Sequence, residues 1–383
     1  MRTALVNGRI CMDGRIVAGR TVLLDDARID AVVAAADADC AGRRIVDLAG
    51  HLLLPGFIDV QVNGGGGRLF NDDPSVESIR RIGAAHRRYG TTGFLPTLIS
   101  DDLETIGRAI AAVQAALEAG VPGVLGIHIE GPFLNFARRG VHDARHLRPL
   151  DASLLSSLCQ LRGGRTVLTL APEMTSPQMI SRLAQAGVLV SGGHSNASYA
   201  ETMAAIAHGL RGFTHLFNAM APLAPRAPGI IGAALHDPNT WCGIIVDGHH
   251  VDPVMLQLAL RCKRHDRFML VTDAMPVVGS DAASFVLQGR TIHVQDGVCR
   301  DEEGTLAGTA LDMAGAVRNA VATLGLELGE AARMASEYPA EFLGLGSELG
   351  RIAPGYRANL VLVDAELRVR QTWIDGRSSD PAG

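Results

Sequence analysis

Eight short apolar runs recur between residues 57 and 271, most of them separated by helical sequence. They cover residues 57–62, 93–96, 124–130, 166–170, 188–190, 212–216, 242–246 and 268–271. Unbroken apolar runs are what strands buried on both faces require, and such strands belong to parallel sheets. Helical patterning fills the gaps. Residues 101–119 open with Asp101 and Glu104 at capping-box spacing, then place Leu103, Ile106, Ile110 and Val113 on one face. Ser176-Pro177 and Asp252-Pro253 each read as an N-cap followed by Pro at the first helical position. Eight such units in about 290 residues predict an α/β chain folded as a (β/α)8 barrel, with its active site at the carboxyl ends of the strands. A doubly wound sheet is the competing arrangement. Polar groups converging from four of the strand ends favour closure.

The third run shows what those polar groups are. In Gly126-Ile127-His128-Ile129-Glu130-Gly131-Pro132-Phe133, strand alternation puts His128 and Glu130 on one face. Gly131-Pro132 then stops the ladder. A carboxylate at the end of a buried strand is costly unless it is paired or holds a metal. Three other runs end alike, at His194, His215 and Asp273. Taken singly, each reads first as a hydrogen-bonded core residue. Together, Glu130, His194 and His215 offer three ligands to a catalytic zinc with a position left for water. Asp273 is placed to take a proton and return it to a leaving group; its rival reading is a helix N-cap or turn Asp.

The first strand carries Asp59, Gln61 and Asn63 on one face. Many metal hydrolases of this architecture have an HxH pair there, and amides are poor zinc ligands beside imidazole. Lys263 is the only lysine and falls in helical sequence, so a carboxylated-lysine bridge is ruled out. Both facts predict a single divalent metal. Zinc leads, and iron(II), manganese and cobalt can share such ligands. Gln61 and Asn63 are either supporting groups behind the ligands or plain strand-end amides. His142 and His250, in loops after the third and seventh strands, either meet a substrate carbonyl or hydroxyl or are solvated loop histidines. Asn218, Ala219, Arg226 and the turn Leu306-Ala307-Gly308 suit an anion such as phosphate. Gly64–Gly67 lacks the residues of a phosphate loop and reads as a flexible loop.

The two ends are strand-rich. Residues 1–54 hold short strands with Asn7-Gly8 and Asp13-Gly14 as hairpin signals, and 358–363 and 368–374 return to strand character. Residues 1–54 and 349–383 are therefore expected to make one small β-sandwich beside a barrel spanning 55–348. Residues 285–300 read as a hairpin after the eighth strand, with turns at Gly289 and Asp296-Gly297. A net charge of −5 offers no basic footprint for nucleic acid. The six cysteines show no CxxC spacing, the first eight residues lack the apolar core of a signal peptide, and no run is long enough to span a bilayer. The expectation is a cytoplasmic enzyme with no nucleic-acid or membrane partner.

The segments Leu54-Pro55-Gly56-Phe57-Ile58-Asp59, His128-Ile129-Glu130-Gly131-Pro132-Phe133, Gly192-Gly193-His194-Ser195 and Thr214-His215-Leu216-Phe217-Asn218-Ala219-Met220 together resemble the N-acetylglucosamine-6-phosphate deacetylase family of the amidohydrolase superfamily. Asp247-Gly248-His249-His250-Val251, Val271-Thr272-Asp273-Ala274-Met275 and Leu306-Ala307-Gly308-Thr309 extend the likeness over nearly the whole chain. The resemblance implies removal of acetate from an amino-sugar phosphate. By matching position it implies Glu130, His194 and His215 as metal ligands and Asp273 as acid/base. Val141, His142, His250, Asn218, Ala219 and Leu306, Ala307 and Gly308 become substrate contacts. Arg226 becomes a phosphate-binding residue that reaches the neighbouring active site of a homodimer. Gln61 and Asn63 place the chain with the single-metal branch. Another amidohydrolase reaction, such as deacetylation of the galactosamine epimer, is the nearest rival, and a catalytically silent sugar-phosphate sensor is a more distant one.

Overall fold

The computed structural model describes residues 2–379. Eight strands lie side by side in sequence order: β1 (Phe57–Val62), β2 (Thr91–Ile99), β3 (Gly126–Glu130), β4 (Arg165–Leu170), β5 (Leu189–Gly192), β6 (Leu210–Phe213), β7 (Trp241–Ile244) and β8 (Phe268–Leu270). Every neighbouring pair is parallel. The last gap is spanned just beyond β8. Asp273 N–H donates to the Gln61 carbonyl at 3.0 Å, and Asn63 and Gly64 N–H both donate to the Ala274 carbonyl at 2.9 Å. The Asp59 carboxylate, on β1, accepts from the backbone N–H and the hydroxyl of Thr272. The sheet is thus a nearly closed parallel barrel, tied shut at the end where the polar residues gather.

Elements end where their side chains change job. β6 stops at Phe213 rather than at residue 216, because Thr214 and His215 leave the ladder and His215 turns to φ +32°. The helix expected from Asp101 begins at Leu103: Asp102 is its cap, accepting from Thr105 N–H at 2.7 Å. Its buried face, Ile106, Ile110 and Val113, packs into the main core. Each such side chain contributes about 1.5–3 kcal/mol when removed from water, so a charge at Ile110 would detach the helix. Ser176 and Asp252 cap helices Pro177–Gln185 and Pro253–Cys262 as the sequence suggests.

Strands from both chain ends join one sheet. Its order is Arg377–Ser378, Val369–Ile374, Leu360–Val363, Leu52–Pro55, Arg2–Met12, Arg15–Asp25, Arg28–Ala34, with Arg44–Asp47 also beside Arg2–Met12. Alternation divides its side chains. Leu52, Leu54, Val361 and Val363 join the barrel core, while Leu53, Leu360 and Leu362 meet Leu5, Ile10, Val22 and Trp373 in a separate core. Asp13-Gly14 makes the expected hairpin turn. Asn7-Gly8 does not; it is a bulge inside the long strand, with register shifts on both sides of Gly8.

After β8, strands Ser284–Leu287, Arg290–Gln295, Val298–Arg300 and Leu306–Thr309 form a four-stranded antiparallel sheet. It packs Leu287, Ile292, Cys299 and Ala307 against Ile99 and Met275, so it is built onto the wall of the barrel mouth. The Gly-rich stretch is not a flexible loop. Gly64 and Gly65 pair with Arg68 and Leu69, and Gly66 and Gly67 N–H donate to the carbonyls of Val278 and Pro276. Among the described residues no helix is long and apolar enough to cross a membrane, and all six cysteines are free thiols.

Candidate active site

At the carboxyl ends of the barrel strands lies a cavity of about 460 Å³. Glu130 ends β3, His194 follows β5 by two residues, His215 follows β6 by two, and Asp273 follows β8 by three. His194, His215 and Asp273 all have positive φ, at +49°, +32° and +52°. The left-handed backbone turns each residue out of its strand line and brings its side chain back over the barrel mouth.

The ligand atoms of Glu130, His194 and His215 converge. Glu130 Oε1 lies 3.1 Å from His194 Nε2 and 2.9 Å from His215 Nε2, and the two Nε2 atoms are 3.1 Å apart. All three side chains are buried. His194 Nδ1–H donates to the Arg138 carbonyl at 2.8 Å, which leaves the electron pair on Nε2. Two ring nitrogens and a carboxylate oxygen meeting this closely form a group that could hold a cation between them. The donor set therefore fits a divalent metal of the zinc type. Burial alone would push the Glu130 carboxyl up, but the two imidazoles that face it, His194 and His215, hold it well below the usual carboxylate range.

Behind this trio, two amides do the positioning. Gln61 Nε2 donates to Glu130 Oε2 at 3.1 Å and to Asp273 Oδ1 at 3.0 Å, and Asn63 Nδ2 donates to Asp273 Oδ1 at 2.6 Å. Both amides are thus hydrogen-bonded to carboxylates of the cavity rather than loose at the strand end. With Oδ1 occupied by two N–H donors, Asp273 has Oδ2 for chemistry. Burial, and then the charge of Glu130, push its carboxyl up to about 6, a range suited to proton transfer near neutrality.

His142 and His250 both line the cavity. The Ser100 backbone N–H donates to His142 Nδ1 at 3.2 Å, with Ser100 Oγ 2.8 Å from the same nitrogen. A backbone N–H can only donate, so the ring proton must sit on Nε2. Burial, reinforced by His194, pushes the His142 pKa down to about 3, so the ring is neutral and offers one N–H. His250 is turned the other way: Nδ1–H donates to Asp247 Oδ2 at 2.6 Å, and Asp247 Oδ1 accepts from the N–H groups of His249 and His250. In the neutral ring, Nε2 is then an acceptor suited to a hydroxyl.

Asn63, Val141, Asn218, Ala219, Leu306 and Gly308 also line the cavity. Gln61 sits beneath it, and Ala307 points into the small core behind it. Gly308 has φ +58°, and a Cβ there would lie 2.7 Å from the Asp273 carbonyl. Arg226 is not brought to this cavity. It stands exposed on the loop where Ala224 and Ala227 exchange backbone hydrogen bonds at 3.2 and 3.1 Å. Sequence reasoning did not single out Ser100, Asp247, Arg138 or Gln288. Asp247 sits three residues before His250, and that spacing is a usable signal; the others have none.

Residues 52–378 match the sequence model of the Amidohydrolase family. The chain is 46% identical over 330 residues to the N-acetylgalactosamine-6-phosphate deacetylase of Shewanella sp. (strain ANA-3), covering 86% of this chain and 83% of that one. It is 34% identical over 380 residues to the N-acetylglucosamine-6-phosphate deacetylase of Haemophilus influenzae, covering 98% and 99%. Among solved structures, the N-acetylglucosamine-6-phosphate deacetylase of Pasteurella multocida superposes with a TM-score of 0.95 at 36% identity, covering 99% of this chain and 100% of that one. With its barrel, its ligand trio and these relatives together, the chain belongs to the N-acetylglucosamine-6-phosphate deacetylase family of amidohydrolases.

Proposed function

We propose that this chain hydrolyses the acetamide of N-acetyl-D-glucosamine 6-phosphate, giving acetate and D-glucosamine 6-phosphate. The observation that carries this reading is one cavity holding a buried Glu–His–His trio, a carboxylate raised toward neutrality and a neutral histidine N–H. Glu130, His194 and His215 would hold one divalent metal, zinc being the ion that a set of two imidazoles and one carboxylate suits as a catalytic site. When bound, such an ion acts as a Lewis acid that acidifies water and polarises a carbonyl. Asp273 Oδ2 takes the proton of the attacking water and delivers it to the departing amine. His142 Nε2–H donates to the acetyl oxygen as charge grows on it. His250 Nε2 accepts from a sugar hydroxyl. Asn218, Ala219 and the segment Leu306–Gly308 line the path of the sugar phosphate, and Arg226 of a second copy closes on the phosphate. The reading includes a homodimer in a reducing cytoplasm and a small β-sandwich formed by residues 1–54 and 349–383 around a barrel of 55–348; the separate core of the end strands supports the last point.

The galactosamine epimer is the second reading, because the relative at 46% identity carries that name. The test is acetate release from both phosphorylated epimers and from unphosphorylated N-acetylglucosamine, with metal quantified in the same sample. The expected result is fast turnover of the glucosamine phosphate at about one metal per chain. Preference for the galactosamine phosphate would move the substrate and keep the chemistry. No turnover in metal-loaded protein would overturn the reading.

A further inference from the structure

Gln288 occupies the first corner of the turn joining strands Ser284–Leu287 and Arg290–Gln295. Its φ is +48° and that of Gly289 is +83°. Asn, Asp and Gly fill such a double left-handed turn with least strain, and a glutamine side chain is too long to make the local turn bond that favours Asn or Asp. The side chain instead reaches two segments far away in sequence. Nε2–H donates to the Ser100 carbonyl at 2.6 Å, and Oε1 accepts from Asp143 N–H at 2.8 Å.

Those two residues bracket His142. Ser100 supplies the backbone N–H and the hydroxyl that meet His142 Nδ1, and Asp143 is the next residue in the chain. One primary amide therefore grips the backbone on both sides of the imidazole. Ser100 and His142–Asp143 lie in loops outside any strand ladder, so the sheet itself does not fix their separation.

We infer that Gln288 is a positioning residue for His142: its amide clamps Ser100 to Asp143 and so keeps the His142 ring oriented with Nε2–H toward the cavity. This rests on the acetyl-hydrolase reading, in which that N–H meets the acetyl oxygen. The antiparallel sheet after β8 is then the carrier of an active-site strut. A reacting group displaced by about 1 Å can lose on the order of 100-fold in rate.

The test uses the metal-loaded full chain with Gln288→Met, which keeps length and loses both hydrogen bonds, and Gln288→Glu, which keeps the acceptor for Asp143 and loses the donor to Ser100. The expected result for Gln288→Met is a fall in kcat of about ten-fold or more with KM, Tm and metal content near wild type. The loss should be several-fold smaller on the N-trifluoroacetyl substrate, whose electron-poor carbonyl needs less help from an N–H donor. Nitrogen-15 NMR should show one His142 tautomer in the wild type and tautomer exchange in Gln288→Met. If Gln288→Met does not fold, Gln288→Glu carries the same comparison. A kcat within two-fold of wild type, or equal losses on both acyl groups, would overturn the inference. A wild type that releases no acetate defeats the functional reading alone; the His142 tautomer in the variants then decides the clamp by itself.

Discussion

Asp59 shows how a single buried carboxylate can hold the barrel shut. It is fully buried, and burial pushes its carboxyl up to about 7 from 3.8, against the opposing hydrogen bonds from Thr272 and Gln61. A folded-state pKa above the unfolded one means that proton binding favours the fold. That stability is fully present below about 3.8 and is lost as pH rises through about 7. Asp59→Asn removes this dependence. Its Oδ1 can still accept from the two backbone N–H groups, and the Thr272 hydroxyl can turn to the Gln61 carbonyl, 3.4 Å away. The variant should therefore gain stability relative to wild type between about pH 3 and about pH 8, by up to about 4 kcal/mol at 1.36 kcal/mol per unit, with roughly 2.5 kcal/mol of that gain above about pH 5. Melting curves across that range check it, and a difference that does not change with pH would show Asp59 ionised throughout. At this scale the sequence was informative where position on an element betrays role. Glu130, His194, His215 and Asp273 stand at or just past strand ends, and that is visible in one dimension. Ser100 and Gln288 are 188 residues apart and meet only because loops fold over the barrel mouth, so nothing local marks either.

Lys263 ties elements together at the opposite, amino-terminal side of the barrel. It caps helix Pro253–Cys262 rather than lying within it, and its ammonium donates to the carbonyls of Ala234 and Asp237 and to Thr240 Oγ1 at 2.8, 2.6 and 2.9 Å. The first of these carbonyls belongs to the last turn of helix Gly229–His236, where a cation is favoured. Burial pulls the ammonium pKa down, which measures the cost of holding it there. Lys263→Met keeps the volume and leaves three acceptors unpaired, so the fold should lose roughly 2–3 kcal/mol. Acetate release per folded chain and metal content should hold, because the strands separate Lys263 from the cavity. A lost activity with an unchanged Tm would instead place this lysine in the site. The elements themselves were largely legible: all eight barrel strands fall within the predicted runs or a few residues of them. The misreadings share a cause. Asn7-Gly8 signals a turn, yet partners on both sides of the strand absorb it as a bulge. The Gly64–Gly67 stretch reads as mobile because its restraints, the carbonyls of Ala274, Pro276 and Val278, come from beyond β8.

For the whole molecule, Arg226 is the residue on which the proposed homodimer turns. The cavity lining includes one permanent cation, Arg138, whose Nε already donates to Asn196 Oδ1 at 2.6 Å. A phosphate dianion calls for more positive charge than that. Arg226 has it to offer, on a loop whose prolines Pro222, Pro225 and Pro228 limit its motion, but it faces solvent in the single chain. A second copy is the proposed recipient. Complementation separates the two possibilities. Arg226→Ala keeps a complete catalytic set and lacks the donated guanidinium; Asp273→Asn keeps the guanidinium and lacks the acid/base. Each variant alone should be nearly inactive on the phosphorylated substrate. In an equal mixture that exchanges subunits, half of the dimers are mixed, and each mixed dimer has one site with both Asp273 and a donated Arg226. About a quarter of the wild-type activity per site should return, by the symmetry of a two-fold interface. A mixture that stays as inactive as its components, while co-purification of differently tagged subunits shows that they have exchanged, would assign Arg226 to its own chain or to no site at all. Unphosphorylated N-acetylglucosamine supplies the control, since its turnover should be insensitive to Arg226→Ala and gain nothing from the mixture beyond the contribution of that variant.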